Sequence, residues 1–151
     1  MLRLATLSID IETFSSIDLI KCGVYAYTSA SDFEILLFAY AFDDEPIQIV
    51  DLASGESLPP DIVKALTNDS VIKTAFNANF ERTCLTVYLK QALSPVAWRC
   101  TAVQSAILGL PLHLAGVAKV LGLDEQKMNE GKGLIRYFSL PGNAHPIGDH
   151  V

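Results

Sequence analysis

The stretch from Leu4 to Thr13 constrains the fold more than any other part of the chain. It begins with apolar residues typical of a buried β-strand and then places two carboxylates two residues apart, at Asp10 and Glu12. Because side chains alternate between the faces of a strand, these carboxylates share one face and the neighbouring isoleucines share the other. Like charges repel, and a divalent cation such as Mg2+, which prefers oxygen ligands, would relieve that repulsion. The alternative is that both carboxylates are solvated at a strand end.

The size and composition of the chain predict one folded domain with no membrane span. The chain has 151 residues, of which 50% are hydrophobic, so it can bury an ordinary core. No apolar run approaches the roughly 20 residues of a membrane span, and the first residues lack the features of a signal peptide. Three scattered cysteines in no CxxC spacing favour reduced thiols in a cytoplasm, packed as small buried residues: Cys22, Cys84 and Cys100.

The charge is distributed unevenly along the chain. Residues 1–50 carry eight acidic and two basic residues, and hence the whole net charge of −6, whereas residues 51–151 carry nine of each. A protein that grips nucleic acid mainly through a basic surface would show the opposite balance. The distribution still permits an enzyme that holds a phosphodiester through metal ions. Lys127 and Lys132 are minor candidates for contact with a DNA backbone.

The patterns after the first strand predict further strands and several helices. Residues 23–28, 35–42 and 47–50 are rich in β-branched and aromatic residues and predict a three-strand antiparallel meander. Short strands are expected over residues 71–76 and 98–101. Apolar residues at helical spacing predict helices over residues 77–90 and 113–121. Shorter helices are expected over residues 61–66, after Pro60, and over residues 102–108 and 134–138. Asn77 and Thr101 are the expected N-caps, and Gly122 is expected to end the helix before it.

The order of these elements predicts that a third acid lies near Asp10 and Glu12. Asn77 and Glu81 are four residues apart, so they share one face of the helix that follows the strand over residues 71–76. If that helix packs beside the first strand, Glu81 joins Asp10 and Glu12. Three carboxylates around one or two Mg2+ ions would form a metal-assisted phosphodiesterase site. The alternatives are a surface acid for Glu81 and a plain helix cap for Asn77.

These residues resemble two motifs of a known family. Residues 10–13, DIET, are similar to the first motif of the DEDD 3′–5′ exonucleases, which have a ribonuclease H-like fold, and residues 76–81, FNANFE, are similar to the second. Residues 98–101, 109–112 and 134–138 resemble later blocks of one branch, the proofreading exonuclease domain at the N-terminus of phage and prophage family A DNA polymerases. The resemblance runs from about residue 5 to residue 140.

The resemblance implies an α/β, ribonuclease H-like domain with a mixed five-stranded sheet flanked by helices. It places an exonuclease-like domain at residues 1–140 and an irregular tail at residues 141–151. The implied activity is metal-dependent hydrolysis of the 3′-terminal phosphodiester of DNA, with two Mg2+ or Mn2+ ions. Asp10, Glu12 and Glu81 would be the catalytic and metal-binding residues. The implied partners are a single-stranded DNA 3′ end and a polymerase domain that this chain lacks, in the cytoplasm of the bacterial host.

Three further residues are implied to contact the substrate. Thr13 would lie near the 3′-terminal nucleotide. Asn77 would orient the substrate or the second motif, and Phe80 would pack near the terminal base or support the helix. Each has a simpler alternative: a turn residue for Thr13, a helix cap for Asn77 and a core side chain for Phe80.

The chain departs from the family pattern in two places. Glu81 stands where the broad superfamily usually has Asp. The family's fourth acid follows Tyr or His by four or five residues on a late helix, but the similar spacing from His145 to Asp149 contains the helix breakers Pro146 and Gly148. We therefore expect the chain to stop before the last motif. The three histidines have no spacing suited to zinc and are expected at the surface: His113, His145 and His150.

Two rival functions stay open, and the missing motif and the net acidity favour the first of them. The chain is in one case a non-catalytic remnant of a phage polymerase, acting at most as a binding or interaction module, because metal catalysis depends on a complete set of ligands. In the other case it is an RNA-directed exonuclease of the same superfamily. A comparison of DNA and RNA substrates would separate the two exonucleases.

Overall fold

The computed structural model describes residues 5–123. Within that range, strands and helices alternate as expected for an α/β domain. Their order along the chain is β1 (Thr6–Phe14), α1 (Leu19–Thr28), β2 (Glu34–Phe42), β3 (Gln48–Asp51), α2 (Pro60–Thr67), β4 (Ile72–Ala75), α3 (Ala78–Leu89), β5 (Trp98–Cys100), α4 (Thr101–Ile107) and α5 (Leu114–Leu121).

The strands form one mixed sheet of five strands in the order β3-β2-β1-β4-β5. β1 pairs with β2 in antiparallel orientation and with β4 in parallel orientation. β3 extends the antiparallel side, and β5 extends the parallel side. The expected mixed five-stranded sheet is therefore confirmed, and the strand that carries the two carboxylates lies at its centre.

The two faces of β1 differ in burial as the sequence predicts. Ile9 and Ile11 are buried in the hydrophobic core, whereas Asp10 is exposed and Glu12 is half-buried. The core lies on the isoleucine side and continues through other strands and helices, with Phe38, Ile62, Leu66, Cys84 and Leu85 among its buried members. The alternation follows from the two-residue period of a strand, because only one face of β1 meets the core.

The strand expected over residues 23–28 is wrong, because this stretch forms the second half of helix α1. The side chain of Asp18 accepts hydrogen bonds from two backbone amides of the first turn, as a helix cap does. Gly23 interrupts the helix with φ 79° and ψ 169°, a backbone conformation that glycine tolerates without steric cost. Tyr25 is exposed and Tyr27 is buried, a contrast that helical geometry also produces. The antiparallel meander is thus β1–β2–β3.

The four helices expected between residues 61 and 121 are confirmed. Asn77 takes the expected N-cap position of α3, but the expectation that Thr101 is an N-cap is wrong. Asn77 adopts a left-handed conformation and its side chain makes no capping hydrogen bond. Thr101 is the first residue of α4, and Cys100 takes the N-cap position. Gly122 ends α5 in the left-handed conformation, as expected.

Only one of the three cysteines is fully buried, although all three were expected to be. Cys84 is buried and Cys100 is half-buried, but Cys22 lies exposed near the start of α1. His113 is exposed, as expected. Between residues 5 and 123, none of the helices is long and apolar enough to cross a membrane.

Several predictions fall on residues that the structure does not describe. They are the helix over residues 134–138, the tail over residues 141–151, the boundary at residue 140 and the residues Lys127, Lys132, His145, Asp149 and His150.

Candidate functional site

Glu81, in the first turn of α3, is a buried carboxyl that interacts with Asp10 of β1. Only 4% of the residue is exposed. Its pKa is raised to about 8, chiefly because burial disfavours the charged form and in part because the charge of Asp10 acts on it. Its Oε2 atom is buried and has no hydrogen-bond partner among the described residues. The structure therefore brings two of the three expected acids close enough to interact electrostatically.

The third expected acid, Glu12, lies where the pairing between β1 and β2 shifts by one residue. Glu12 pairs with Leu37, but Thr13 pairs with Ile35, so Leu36 is the extra residue on β2. Such bulges re-aim side chains and are frequent next to active sites. Glu12 is half-buried at this point, two residues beyond Asp10 on the same face of β1.

The three carboxylates are not gathered into a single cluster. The part of the chain from residue 5 to residue 123 contains no group of three or more His, Cys, Asp or Glu side chains that could hold a metal ion. Asp10 and Glu81 interact, and Glu12 follows on β1, but the full set is not preassembled. The roles of Asp10, Glu12 and Glu81 as metal ligands and catalytic residues stay predictions.

Thr13 lies on the buried face of β1, opposite the side that carries Asp10 and Glu12. It is 7% exposed, and its Oγ1 atom is 2.9 Å from the hydroxyl of Tyr27. The hydroxyl of Thr13 is therefore engaged inside the domain. The expected position of Thr13 near the terminal nucleotide stays a prediction.

The junction between β4 and α3 places Asn77 and Phe80 beside Glu81 in the chain. Asn77 is exposed and has φ 81° and ψ 48°, and its carbonyl accepts a hydrogen bond of 2.8 Å from the Phe80 amide. Phe80 is half-buried against the core, and its ring centroid is 6.2 Å from that of Tyr27. The substrate-binding roles of both residues stay predictions.

The sequence reasoning missed Tyr27 as a residue of this region. Tyr27 is 4% exposed and contacts both Thr13 and Phe80. The aromatic alternation around it indicated a strand, which would have directed its side chain elsewhere. The available signal was Asp18, a residue that favours helix N-caps and that begins the helix containing Tyr27.

Comparison with known sequences identifies a relative that is much longer than this chain. No protein-family model matches the chain. A DNA polymerase of Bacillus phage SP02 is 65% identical over 136 residues, which cover 90% of this chain and 21% of the polymerase. The chain therefore spans about a fifth of the length of this relative.

Comparison with solved structures identifies the fold. Brucella melitensis NrnC with bound Mg2+ aligns with a TM-score of 0.61 and 17% identity, over 82% of this chain and 56% of NrnC. The EXO domain of Aedes aegypti Nibbler aligns with a TM-score of 0.57 and 12% identity, over 84% of this chain and 62% of that domain. These likenesses show the fold, and the expected ribonuclease H-like fold is confirmed. Over 90% of its length the chain is thus similar to a part of a phage DNA polymerase, and it shares the fold of these two structures.

Proposed function

We propose that this chain is the 3′–5′ proofreading exonuclease domain of a phage-type DNA polymerase and hydrolyses the 3′-terminal phosphodiester of DNA. The observation that carries the proposal is the buried carboxyl of Glu81, which has no hydrogen-bond partner for its Oε2 atom among residues 5–123 and lies on a helix that packs against the strand of Asp10. The two residues belong to separate motifs, 71 positions apart in the sequence, and the fold brings them together. The 65% identity of this chain, over 136 residues, to a phage DNA polymerase supports a role of these two acids in a polymerase-associated nuclease.

The donor set fits a hard divalent cation such as Mg2+ or Mn2+. Carboxylate oxygens are the ligands that such cations prefer, and the buried Oε2 of Glu81 has no hydrogen-bond partner among residues 5–123. A cation beside Asp10 and Glu81 would offset their repulsion and favour the ionised form of Glu81. One neighbour in fold has been solved with bound Mg2+. We infer that Asp10, Glu12 and Glu81 together hold one or two such ions.

The chain's own residues have separable tasks in this proposal. A bound divalent ion supplies a water-derived nucleophile and stabilises the leaving oxygen. Asp10 and Glu12 contribute negative charge from β1, and Glu81 contributes it from α3 once its carboxyl has lost its proton. Asn77 exposes a carboxamide that can hydrogen-bond a nucleotide, and the half-buried ring of Phe80 offers a surface for the terminal base. NrnC, a neighbour in fold, has been solved bound to pGG.

Nucleotide release from a 3′-labelled single-stranded DNA tests the proposal. With Mg2+ or Mn2+ we expect release by the wild type and a loss of about 100-fold or more in Asp10→Asn, because the substitution removes a charged ligand and keeps the shape. Asp61→Asn is the matched control, since Asp61 is an exposed acid in the first turn of α2. Equal rates in Asp10→Asn and the wild type would refute the proposal. A parallel RNA substrate tests whether the enzyme is RNA-directed.

One observation favours a second candidate, a non-catalytic binding or interaction module. The described residues contain no preassembled group of three metal ligands. A wild-type chain that is folded, yet releases no nucleotide with either metal, would support this candidate. In either case we propose that the natural partner is the remaining part of the longer polymerase, and that the protein works in the cytoplasm of the bacterial host.

A further inference from the structure

Tyr27 connects the two structural elements that carry the candidate acids. It lies near the end of α1, is 4% exposed, and packs edge-on against Phe33 with ring centroids 5.8 Å apart. Its ring also contacts that of Phe80 on α3 at 6.2 Å. Its carbonyl oxygen accepts a hydrogen bond of 2.8 Å from the fully buried hydroxyl of Ser15, just beyond β1. Tyr27 therefore contacts both the end of β1 and helix α3.

The hydroxyl of Tyr27 reaches the end of β1 at the irregular position. It lies 2.9 Å from Thr13 Oγ1, in a buried hydrogen bond between side chains 14 residues apart. The shift in register between β1 and β2 falls between Glu12 and Thr13, so regular strand pairing is interrupted there. The hydrogen bond between Thr13 and Tyr27 therefore constrains β1 at the position where the regular backbone hydrogen bonds to β2 are interrupted.

Glu12 is close enough to Tyr27 to act on it electrostatically. The pKa of the Tyr27 hydroxyl is raised mainly by burial, which the hydrogen bond with Thr13 opposes. Electrostatic interactions with Cys84, Asp32 and Glu12 add to the increase in that pKa.

We propose that Tyr27 is a positioning residue that fixes the end of β1, and with it Glu12, relative to helix α3, and so limits how far Glu12 must move to share a divalent ion with Glu81. Tyr27 acts through its hydrogen bond to Thr13 and its packing on Phe80, and touches neither metal nor substrate. The inference rests on the proposed function and deepens it by naming a residue that shapes the metal site. It also explains why the hydroxyl of Thr13 is engaged inside the domain.

The decisive variant is Tyr27→Phe, which removes the hydroxyl and keeps the ring. Tyr25→Phe is the matched control, because it makes the same chemical change on the same helix at a residue that is 70% exposed. Thr13→Val removes the other partner of the hydrogen bond with little change of shape. Mn2+ affinity is measured by titration calorimetry, nucleotide release is measured at low and saturating Mn2+, and thermal unfolding reports on folding.

We expect Tyr27→Phe to weaken Mn2+ binding by about tenfold, the lower end of the loss seen when residues that orient metal ligands are removed. Nucleotide release at low Mn2+ should fall by a similar factor and recover at saturating Mn2+. Thr13→Val should give the same loss, and the double variant should lose no more than either single one, because both disrupt one interaction. Tyr25→Phe should match the wild type.

The outcomes separate the two proposals. If Tyr27→Phe and Thr13→Val bind Mn2+ as tightly as Tyr25→Phe, the positioning role is refuted, whether or not their unfolding temperatures fall. If the wild type releases nucleotide in that case, the proposed exonuclease survives without it. If the wild type neither binds Mn2+ nor releases nucleotide, the exonuclease proposal fails and the positioning role fails with it. If Tyr27→Phe does not fold, Thr13→Val decides the question.

Discussion

At the scale of single residues, the buried carboxyl of Glu81 is the group with the clearest thermodynamic signature. Its pKa of about 8 lies above the ordinary value of 4.5. Between these two pH values the unfolded chain has lost the proton and the folded chain still holds it. Stability from this group is therefore fully present below about pH 4.5 and is lost as the pH rises through about 8.

Glu81→Gln should remove this pH dependence. One pKa unit corresponds to about 1.4 kcal/mol. In a chelating buffer we expect the free energy of unfolding of the variant to exceed that of the wild type by up to roughly 4 kcal/mol at pH 8, and by less than about 1 kcal/mol at pH 5. The measurement is urea unfolding at both pH values, with Glu45→Gln in the exposed turn after β2 as the control. Parallel pH curves for wild type and Glu81→Gln would contradict the assignment.

At the scale of elements, the junction between β4 and α3 depends on an unusual backbone conformation. Asn77 has φ 81° and ψ 48° and makes no capping hydrogen bond with its side chain. The left-handed conformation costs roughly 1–2 kcal/mol for most residues, and Asn and Gly tolerate it best. The type of residue at position 77 is therefore explained by the turn into α3, independently of any contact with a nucleotide.

Two substitutions at Asn77 separate the backbone requirement from a role in substrate binding. We expect Asn77→Ala to lower the free energy of unfolding by about 1 kcal/mol and Asn77→Gly to change it by less than about 0.5 kcal/mol. Both remove the carboxamide, so both should raise the KM for DNA if Asn77 binds the nucleotide. Chemical unfolding and steady-state kinetics provide the two readouts. An unchanged KM in a stable Asn77→Gly variant would rule out the binding role.

Helix α1 shows how tertiary contacts outweigh local β-propensity. The aromatic and β-branched residues around Tyr25 and Tyr27 favour a strand by composition, and propensity alone is a weak guide. In the structure, Asp18 caps a helix there, and Tyr27 packs against Phe33 and Phe80. Phe33 and Phe80 come from outside α1, and a local pattern of residues carries no information about such contacts.

At the scale of the whole molecule, the electrostatics oppose binding of a polyanion without metal. Residues 1–50 carry the whole net charge of −6, and this segment includes Asp10 and Glu12. DNA phosphates are repelled by such a surface, whereas basic proteins gain affinity by releasing counterions. A divalent ion at the site changes the local sign of the charge.

Binding of DNA should therefore depend on the metal. We expect the affinity for an oligonucleotide with a hydrolysis-resistant phosphorothioate at its 3′ end to rise at least about tenfold when Mn2+ replaces a chelator. Asp10→Asn should lose most of that gain, although it removes a negative charge. Fluorescence anisotropy at fixed ionic strength provides the measurement. Equal affinities with and without Mn2+ would indicate a surface that binds DNA independently of the acids.

The sequence by itself determined the central strand, its two faces and the order of most elements. The alternation of Ile9, Asp10, Ile11 and Glu12 was sufficient to assign the buried and exposed faces of β1. A strand that meets the core on one side must alternate in this way. The helical pattern after β4 likewise placed Glu81 on α3, although Asn77, expected on the same helix, lies just before its first residue. These features are local, and local periodicity is what a sequence displays directly.

Only the tertiary structure decided how buried Glu81 is, which side chain engages Thr13 and whether residues 23–28 form a strand or a helix. Each depends on contacts between segments far apart in the chain, such as Tyr27 with Thr13 and Phe80. The raised pKa of Glu81 arises from burial and from Asp10, and neither can be known before α3 is packed beside β1. The sequence is sufficient to identify the candidate acids, whereas their burial and pKa values depend on how the chain folds.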